Sequence, residues 1–432
     1  MATTSRPLKR APVVRIADAG PRRRSNRARS GRPCPLGRRG CQGYFAPVLA
    51  AAFFPAAGGG GSGPLVATYA ALAFFFRPLG ALLLGRLGDR VGRRPALVTA
   101  VTLMTLATTA IGLLPTHAAA GVAAPVALTA LRVLQGISAG GEFGGAVSVL
   151  TEFAPPGRRG RYGSWQSCTV ALGLLAGAGT AAVLAVVLPE AALYAWGWRV
   201  AFLLALPLGL AALVLRLRLP ETPEFRADPG ACPDRRLRPR DVLLGAGRIV
   251  GWSGAGYAFL VVLPSHLQTA LGASYRDALL ATVRANTAFA AAIVPAGVLS
   301  DRIGRRAVLL TGTVLVIVLA VPLFAVLRDP GQPAAAKGAA VLVAGAPVGL
   351  LAGPGPAMLA EMFPARVRCT GLGTAYALAN ALFAGCAGLV ITRTAEWTGR
   401  TDIPALYAAG ACALSLPALC TLGRDDHRRP LR

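Results

Sequence analysis

The chain reads as an all-α integral membrane protein of two pseudo-symmetric six-helix bundles, the first helix of which is incomplete. Hydrophobic residues make up 54% of its 432 positions and charged residues only 15%, with a mean hydropathy of +0.55. Such a composition suits a chain dissolved in lipid rather than water. The run GRLGDRVGRR at 85–94 returns as GVLSDRIGRR at 297–306, each time directly after a long apolar segment. An internal repeat of this kind marks a duplicated transporter-like architecture.

Each element follows from the span length that a bilayer core requires, about 20 apolar residues. Eleven segments qualify, near 65–85, 95–115, 121–152, 163–189, 198–219, 242–264, 278–300, 307–327, 338–360, 371–392 and 403–422. A twelfth, YFAPVLAAAFFPAA at 44–57, is too short to cross alone. Residues 1–43 hold twelve Lys or Arg and no apolar core, which fits neither a span nor a secretory signal. They are expected to be a frame or start-site artefact in place of the beginning of the first helix, the alternative being a basic tail on anionic lipid. The domain reading is therefore a basic segment 1–43, an N-terminal bundle 44–219, a cytoplasmic linker 220–240, a C-terminal bundle 241–423 and a cytoplasmic tail 424–432. Apolar periodicity stops in the Pro- and Arg-rich linker, whose Pro-Glu-Thr-Pro-Glu-Phe run reads mostly as solvated.

The net charge of +27 is explained by its placement. With the repeated motifs on the cytoplasmic side, the loops and tail on that side carry 23 Lys or Arg against 5 on the other. This ratio obeys the positive-inside rule and sets both termini in the cytoplasm, with the plasma (inner) membrane as the expected location. No basic soluble domain exists to engage nucleic acid. The eight cysteines lack a C-x-x-C pair and the three histidines fall in loops or the tail, so no metal site, cofactor or enzymatic chemistry is expected. The expected partners are a small organic solute, protons and membrane lipid, and the expected state is a monomer.

The most specific stretch is ALRVLQGISAGGEFGGAVSVLTEFAPPGRRGRYGSWQS at 130–167. Together with the two G-x-L-x-D-x-x-G-R-R motifs, FFRPLG at 75–80, IGLLPT at 111–116 and AEMFPARVRCTG at 360–371, it resembles the metabolite:proton symporters of the major facilitator superfamily. The resemblance implies the major facilitator fold and proton-coupled import, by alternating access, of a small organic anion or zwitterion: proline or betaine, a di- or tricarboxylate, or a shikimate-like acid. A drug or metabolite efflux antiporter shares the fold, but GLLAGAGTA at 173–181 lacks the Gly-Pro pair usual there. A non-transporting receptor, or a product made defective by its truncated first helix, completes the alternatives.

Helical geometry supplies the candidate residues. Gly136, Gly140 and Gly144 form one small-residue stripe, and Gly173 and Gly177 a second notch; both are expected to admit a neighbouring helix closely. Gln135, Ser138 and Glu142 fall on another stripe, expected to line the transport cavity. Glu142 is the carboxylate expected deepest in a span, and a buried carboxyl without a counter-ion is a natural proton carrier. Its expected partner comes from another helix, with Arg77 the candidate, because Arg132 sits about 15 Å up the axis. By the resemblance, Arg132 couples proton to solute. Arg77 and Arg284 suit a solute carboxylate, Arg284 beside Asn286 being the first choice for a clamp, with snorkelling to the outer interface as its alternative. Gln166, Tyr376 and Asn380 offer further hydrogen bonds to a solute, as do Tyr162, Trp252 and Tyr257. GPGP at 353–356 breaks its helix, as a gate or a rigid kink. Gly85, Asp89, Arg90, Gly92, Arg93, Arg94, Asp301, Arg302, Gly304, Arg305 and Arg306 form the motifs, with a gating role in which the aspartates cap a neighbouring helix or pair with Arg across the halves.

Overall fold

A computed structural model describes residues 72–222, 237–263 and 275–423, with 49, 52–54, 225, 266, 267 and 272 besides. The basic segment 1–43, most of the short first span, the middle of the linker and the tail lie outside the described residues. The described parts of the eleven full-length spans are helical; residues 65–71 of the first lie outside the described residues. The helices are α1 (Arg77–Arg90), α2 (Arg93–Leu113), α3 (Ala123–Glu152), α4 (Arg159–Val187), α5 (Leu193–Leu217), α6 (Pro239–Tyr257), α7 (Tyr275–Ile303), α8 (Arg305–Arg328), α9 (Ala334–Met362), α10 (Ala365–Thr398) and α11 (Ile403–Cys420). Seven of these helical stretches are long and apolar enough to cross a membrane.

The packing repeats between the halves. Helix α1 lies on α3 as α7 lies on α9, and α2 lies on α3 and α5 as α8 lies on α9 and α11. The halves meet where α1 crosses α10 and where α7 crosses α4. In lipid no hydrophobic force pulls helices together, so close backbone approach carries the association. The glycine stripe of α3 does this: a Cβ on Gly136 would overlap Ala73 of the turn preceding α1, one on Gly140 would overlap Arg77, and one on Gly144 would come within 2.5 Å of the Cys369 carbonyl oxygen of α10. At the other crossing a Cβ on Gly297 would meet the Gly160 carbonyl oxygen at 2.6 Å. At Gly173, in the notch expected in α4, nothing among the described residues lies within 4 Å.

Two backbone features fix the motif loops. Gly92 and Gly304 precede α2 and α8 with φ of +131° and +94°, a conformation that favours glycine. The GPGP run breaks α9 at Gly353–Pro354, and the Ala352 carbonyl beside the break accepts the Ser167 hydroxyl of α4 at 2.8 Å. Of the short first span, Leu49 and Phe53 are buried against Ile111, Leu128 and Trp198.

Gly140→Ala therefore lowers stability by about 1–3 kcal/mol through overpacking, whereas Gly173→Ala is neutral or raises it by up to about 1 kcal/mol. Thermal unfolding of the purified variants in detergent measures both, and equal losses would contradict the crossing geometry.

Candidate functional site

Two charge clusters join the halves at the motif end of the molecule. In the first, the Asp89 carboxylate accepts the Cys369 and Thr370 backbone N–H groups at 3.0 and 2.9 Å and the Thr370 hydroxyl at 2.6 Å. An anion is thus held among the free amides near the start of α10, in the opposite half. Arg93 bonds Asp89 at 3.0 Å and Glu152 at 3.2 Å, and also donates to the Ala365 carbonyl of the other half. Arg368 reaches the same Glu152 oxygen at 2.8 Å. The second cluster mirrors the first. The Asp301 carboxylate accepts the Gly160 and Arg161 N–H groups at the start of α4, both at 2.8 Å. Arg305 bonds Asp301 at 2.7 Å and both Glu361 oxygens at 3.0 and 3.3 Å, with Arg159 3.9 Å from Glu361. Each core of two carboxylates and two guanidinium groups is neutral, which is what allows Arg93, Arg305 and Arg368 to be almost fully buried.

Between the halves lies a cavity of about 170 Å³. Its walls are aromatic: Phe143 stacks on Tyr376 at 3.5 Å, Trp252 tilts against Tyr376 at 5.3 Å, and Phe74 meets Tyr257 edge-on at 5.8 Å. Arg77, Gln166, Ser167, Ser253, Asn380 and the hydroxyls of Tyr257 and Tyr376 supply its polar groups, and among the described residues none in the lining is acidic. The Arg77 guanidinium lies over the Phe74 ring, 4.0 Å from its centroid, and its buried Nε has no hydrogen-bond partner. The Ser253 hydroxyl is equally unsatisfied. Unpaired buried donors converging on a cavity are the mark of a ligand site. Asn380, in the lining, donates to the Tyr376 carbonyl at 2.9 Å. Trp252 leans on Gly355 just beyond the break in α9, so the kink forms part of the cavity's support.

Of the candidate solute-binding residues, Arg77, Gln166, Tyr376 and Asn380 meet at this cavity, with Trp252 and Tyr257 beside them. The others do not. Gln135 donates to Thr108 of α2 at 2.8 Å, Ser138 to the Ala100 carbonyl of α2 at 2.6 Å, and Glu142 pairs with Arg216 of α5 at 2.6 Å. The stripe expected to face the cavity thus faces α2 and α5, while the next residue, Phe143, takes the cavity wall. Glu142 is 31% exposed, and Arg216 rather than Arg77 is its partner. Arg132 is half-buried in α3. Arg284 is exposed on α7 with its guanidinium against Gly338 of α9, away from the cavity; Asn286 is buried, donating to the Thr282 carbonyl at 2.9 Å. Tyr162 also lies outside the cavity lining.

Around the motifs, Arg94 donates to the Leu217 carbonyl at the end of α5 and Arg306 to the Leu422 carbonyl after α11, which is the same cap in each half. Arg90 and Arg302 are exposed. A Cβ on Gly85 would meet the Thr370 Cα at 2.7 Å, so Gly85 admits α10. The sequence reading missed Glu152, Glu361, Arg159 and Arg368. A signal was available, because Glu152 to Arg159 and Glu361 to Arg368 have the same spacing in the two halves. It also missed Glu221 of the Pro-Glu-Thr-Pro-Glu-Phe run, which is no idle linker residue: its carboxylate accepts the Arg93 and Arg94 N–H groups at 2.8 and 3.2 Å, capping α2.

Two family models match the chain, "Sugar (and other) transporter" over residues 41–230 and "Major Facilitator Superfamily" over 249–431. The chain is 34% identical to the ectoine/proline transporter ProP of Corynebacterium glutamicum, covering 84% of this chain and 75% of that one. It is 34% identical to a citrate-proton symporter of Klebsiella pneumoniae (88% and 87% covered) and 31% identical to the proline/betaine transporter of Escherichia coli K12 (91% and 81%). Among solved structures it is similar to the proton:xylose symporter XylE bound to 6-bromo-6-deoxy-D-glucose, with a TM-score of 0.71, 18% identity and 87% and 90% coverage. It is also similar to a partially occluded inward-open form of XylE from E. coli, with a TM-score of 0.65, 17% identity and 89% and 93% coverage.

Asp89→Asn and Asp301→Asn each remove a charge that accepts amides across the halves, and charge-assisted bonds of this kind contribute about 1.5–3 kcal/mol. Uptake by either variant in whole cells falls about tenfold or more, while the amount of protein in the membrane stays within about twofold. Equal losses of uptake and membrane protein would contradict a conformational role.

Proposed function

The chain belongs to the major facilitator superfamily, among its metabolite:proton symporters, and from that premise we propose that it imports a small organic anion or zwitterion by alternating access driven by the proton gradient. The observation that carries the reading is the cavity between the halves, with an unpaired guanidinium in its wall and a charge clamp closing one end. The protein is a multi-pass membrane protein. The bundles 44–219 and 241–423 rock about the cavity, and the clusters of Asp89 and Asp301 hold the motif side shut. The 23-to-5 distribution of Lys and Arg supports a cytoplasmic motif side, hence a clamp that favours the outward-facing state.

In the clamped state the halves share α1–α10 and α4–α7 contacts, and separating them removes aspartates from helix amides and parts Arg368 from Glu152 and Arg159 from Glu361. The two clusters split with opposite sign, so each half keeps two of these carboxylates and two of these guanidinium groups, and water solvates the charges that separation unpairs. The cavity wall holds no carboxylate among the described residues, so the proton needs a group outside it. Glu142 is assigned that role: among the described residues it lies between helix ends and outside both clusters, one position from the cavity residue Phe143. Its bond to Arg216 ties the surroundings of this carboxylate to the placement of α5 against α3. Arg132 keeps its proposed part in coupling through the same helix. The relatives that transport ectoine, proline, betaine and citrate support a solute of this size and charge.

In proteoliposomes, Glu142→Gln loses accumulation driven by a pH gradient and keeps solute exchange at about the rate of the unaltered protein. Undiminished pH-driven uptake would remove Glu142 from coupling and leave its bond to Arg216 as a structural pair.

A further inference from the structure

Resting on the transporter reading above, we infer that the cavity selects solutes with a single carboxylate and an apolar or N-alkylated body, and rejects di- and tricarboxylates. The first support is charge count. Among the described residues, Arg77 is the one cationic residue in the lining and none of the lining residues is acidic. Its guanidinium stands in the lining over the Phe74 ring, with no carboxylate bonded to it among the described residues, so one solute carboxylate is the group that would balance its charge. A second carboxylate on the solute would meet only neutral groups: the amides of Gln166 and Asn380 and the hydroxyls of Ser253, Tyr257 and Tyr376. Such groups hydrogen-bond an anion without neutralising it, and an uncompensated buried charge is strongly disfavoured.

The second support is the shape and chemistry of the rest of the wall. Phe143, Tyr376 and Trp252 form a continuous aromatic surface through ring contacts of 3.5 and 5.3 Å. That surface receives a flat or methylated body, including an alkylated ammonium held by ring faces. A primary ammonium is poorly served, because it carries three N–H donors and finds no ionised acceptor.

The test uses the full chain, purified in detergent, and reads binding apart from flux. Thermal stabilisation is measured with trimethylglycine, proline, benzoate, shikimate, glycine, 2-oxoglutarate and citrate, and with the methyl ester of trimethylglycine as a control that removes the carboxylate from the ligand rather than altering the protein. At least one of trimethylglycine, proline and benzoate binds about a hundredfold more tightly than citrate and 2-oxoglutarate, and glycine, the polyhydroxylated shikimate and the ester bind no better than those two. Arg77→Gln abolishes that preference, whereas Trp252→Ala weakens every monocarboxylate by about tenfold. Citrate or 2-oxoglutarate binding as tightly as the best monocarboxylate overturns the inference, as does the absence of binding by every member of the panel. Counterflow in proteoliposomes is scored separately: selective monocarboxylate binding without flux upholds this selectivity and overturns the transporter reading instead.

Discussion

The architecture turns on a carboxylate of one half being held by the backbone amides of a helix in the other half, and on this happening twice. Asp89 sits on the start of α10 and Asp301 on the start of α4. A helix N-terminus offers free N–H groups and a partial positive charge, and an aspartate satisfies both at the point where no water is at hand. Each aspartate is then tied to an arginine and a glutamate, and a second arginine, Arg368 or Arg159, makes the junction neutral as a whole, so that it tolerates burial. The reciprocal arrangement ensures that neither half can tilt away without giving up bonds at both crossings.

Small residues make that reach possible. Gly85 and Gly144 let α10 approach α1 and α3 closely enough for Asp89 to reach its amides, and Gly160 and Gly297 do the same for α4 and α7. The glycines and the charges are therefore parts of one device: backbone contact sets the distance and the carboxylate converts that distance into a bond. The cavity lies farther along the same interface, where the facing residues become large and aromatic, and where Arg77 and Ser253 remain unsatisfied. The break at Gly353–Pro354 joins the two regions, with Ser167 on one side of the interface bonding the freed Ala352 carbonyl on the other.

Much of this was legible in the sequence. Span length and hydropathy located the described parts of the eleven full-length helices, and the glycine stripe of α3 announced a close crossing. The placement of Arg77, Gln166, Tyr376 and Asn380 at one cavity also follows from their being polar or aromatic groups on interior helices. What periodicity cannot give is the identity of the neighbour that a helix face meets. Gln135, Ser138 and Glu142 do share a face, but the face belongs to α2 and α5, because the glycine stripe and Phe143 occupy the side toward α1 and α10. Glu142 looked the most enclosed carboxylate by its position along the helix, yet Glu152, at the helix end, is the one with no side-chain exposure, since the opposite half covers it. Arg284 has a position that suits a clamp and a direction that does not. Glu221 lay hidden in a segment whose composition reads as linker, and only the fold brings it to the amides of α2.

The central claim is that the motif-side clusters form a reversible clamp between two halves that alternate around the cavity. The most direct measurement is the distance between spin labels on the exposed positions Arg86 and Leu299, one on each half, in protein reconstituted into lipid at several pH values with and without a transported solute. The account gives two distance populations whose proportions respond to proton and solute, with the longer one gaining when either aspartate is neutralised. A single distance that no condition or substitution changes would contradict it.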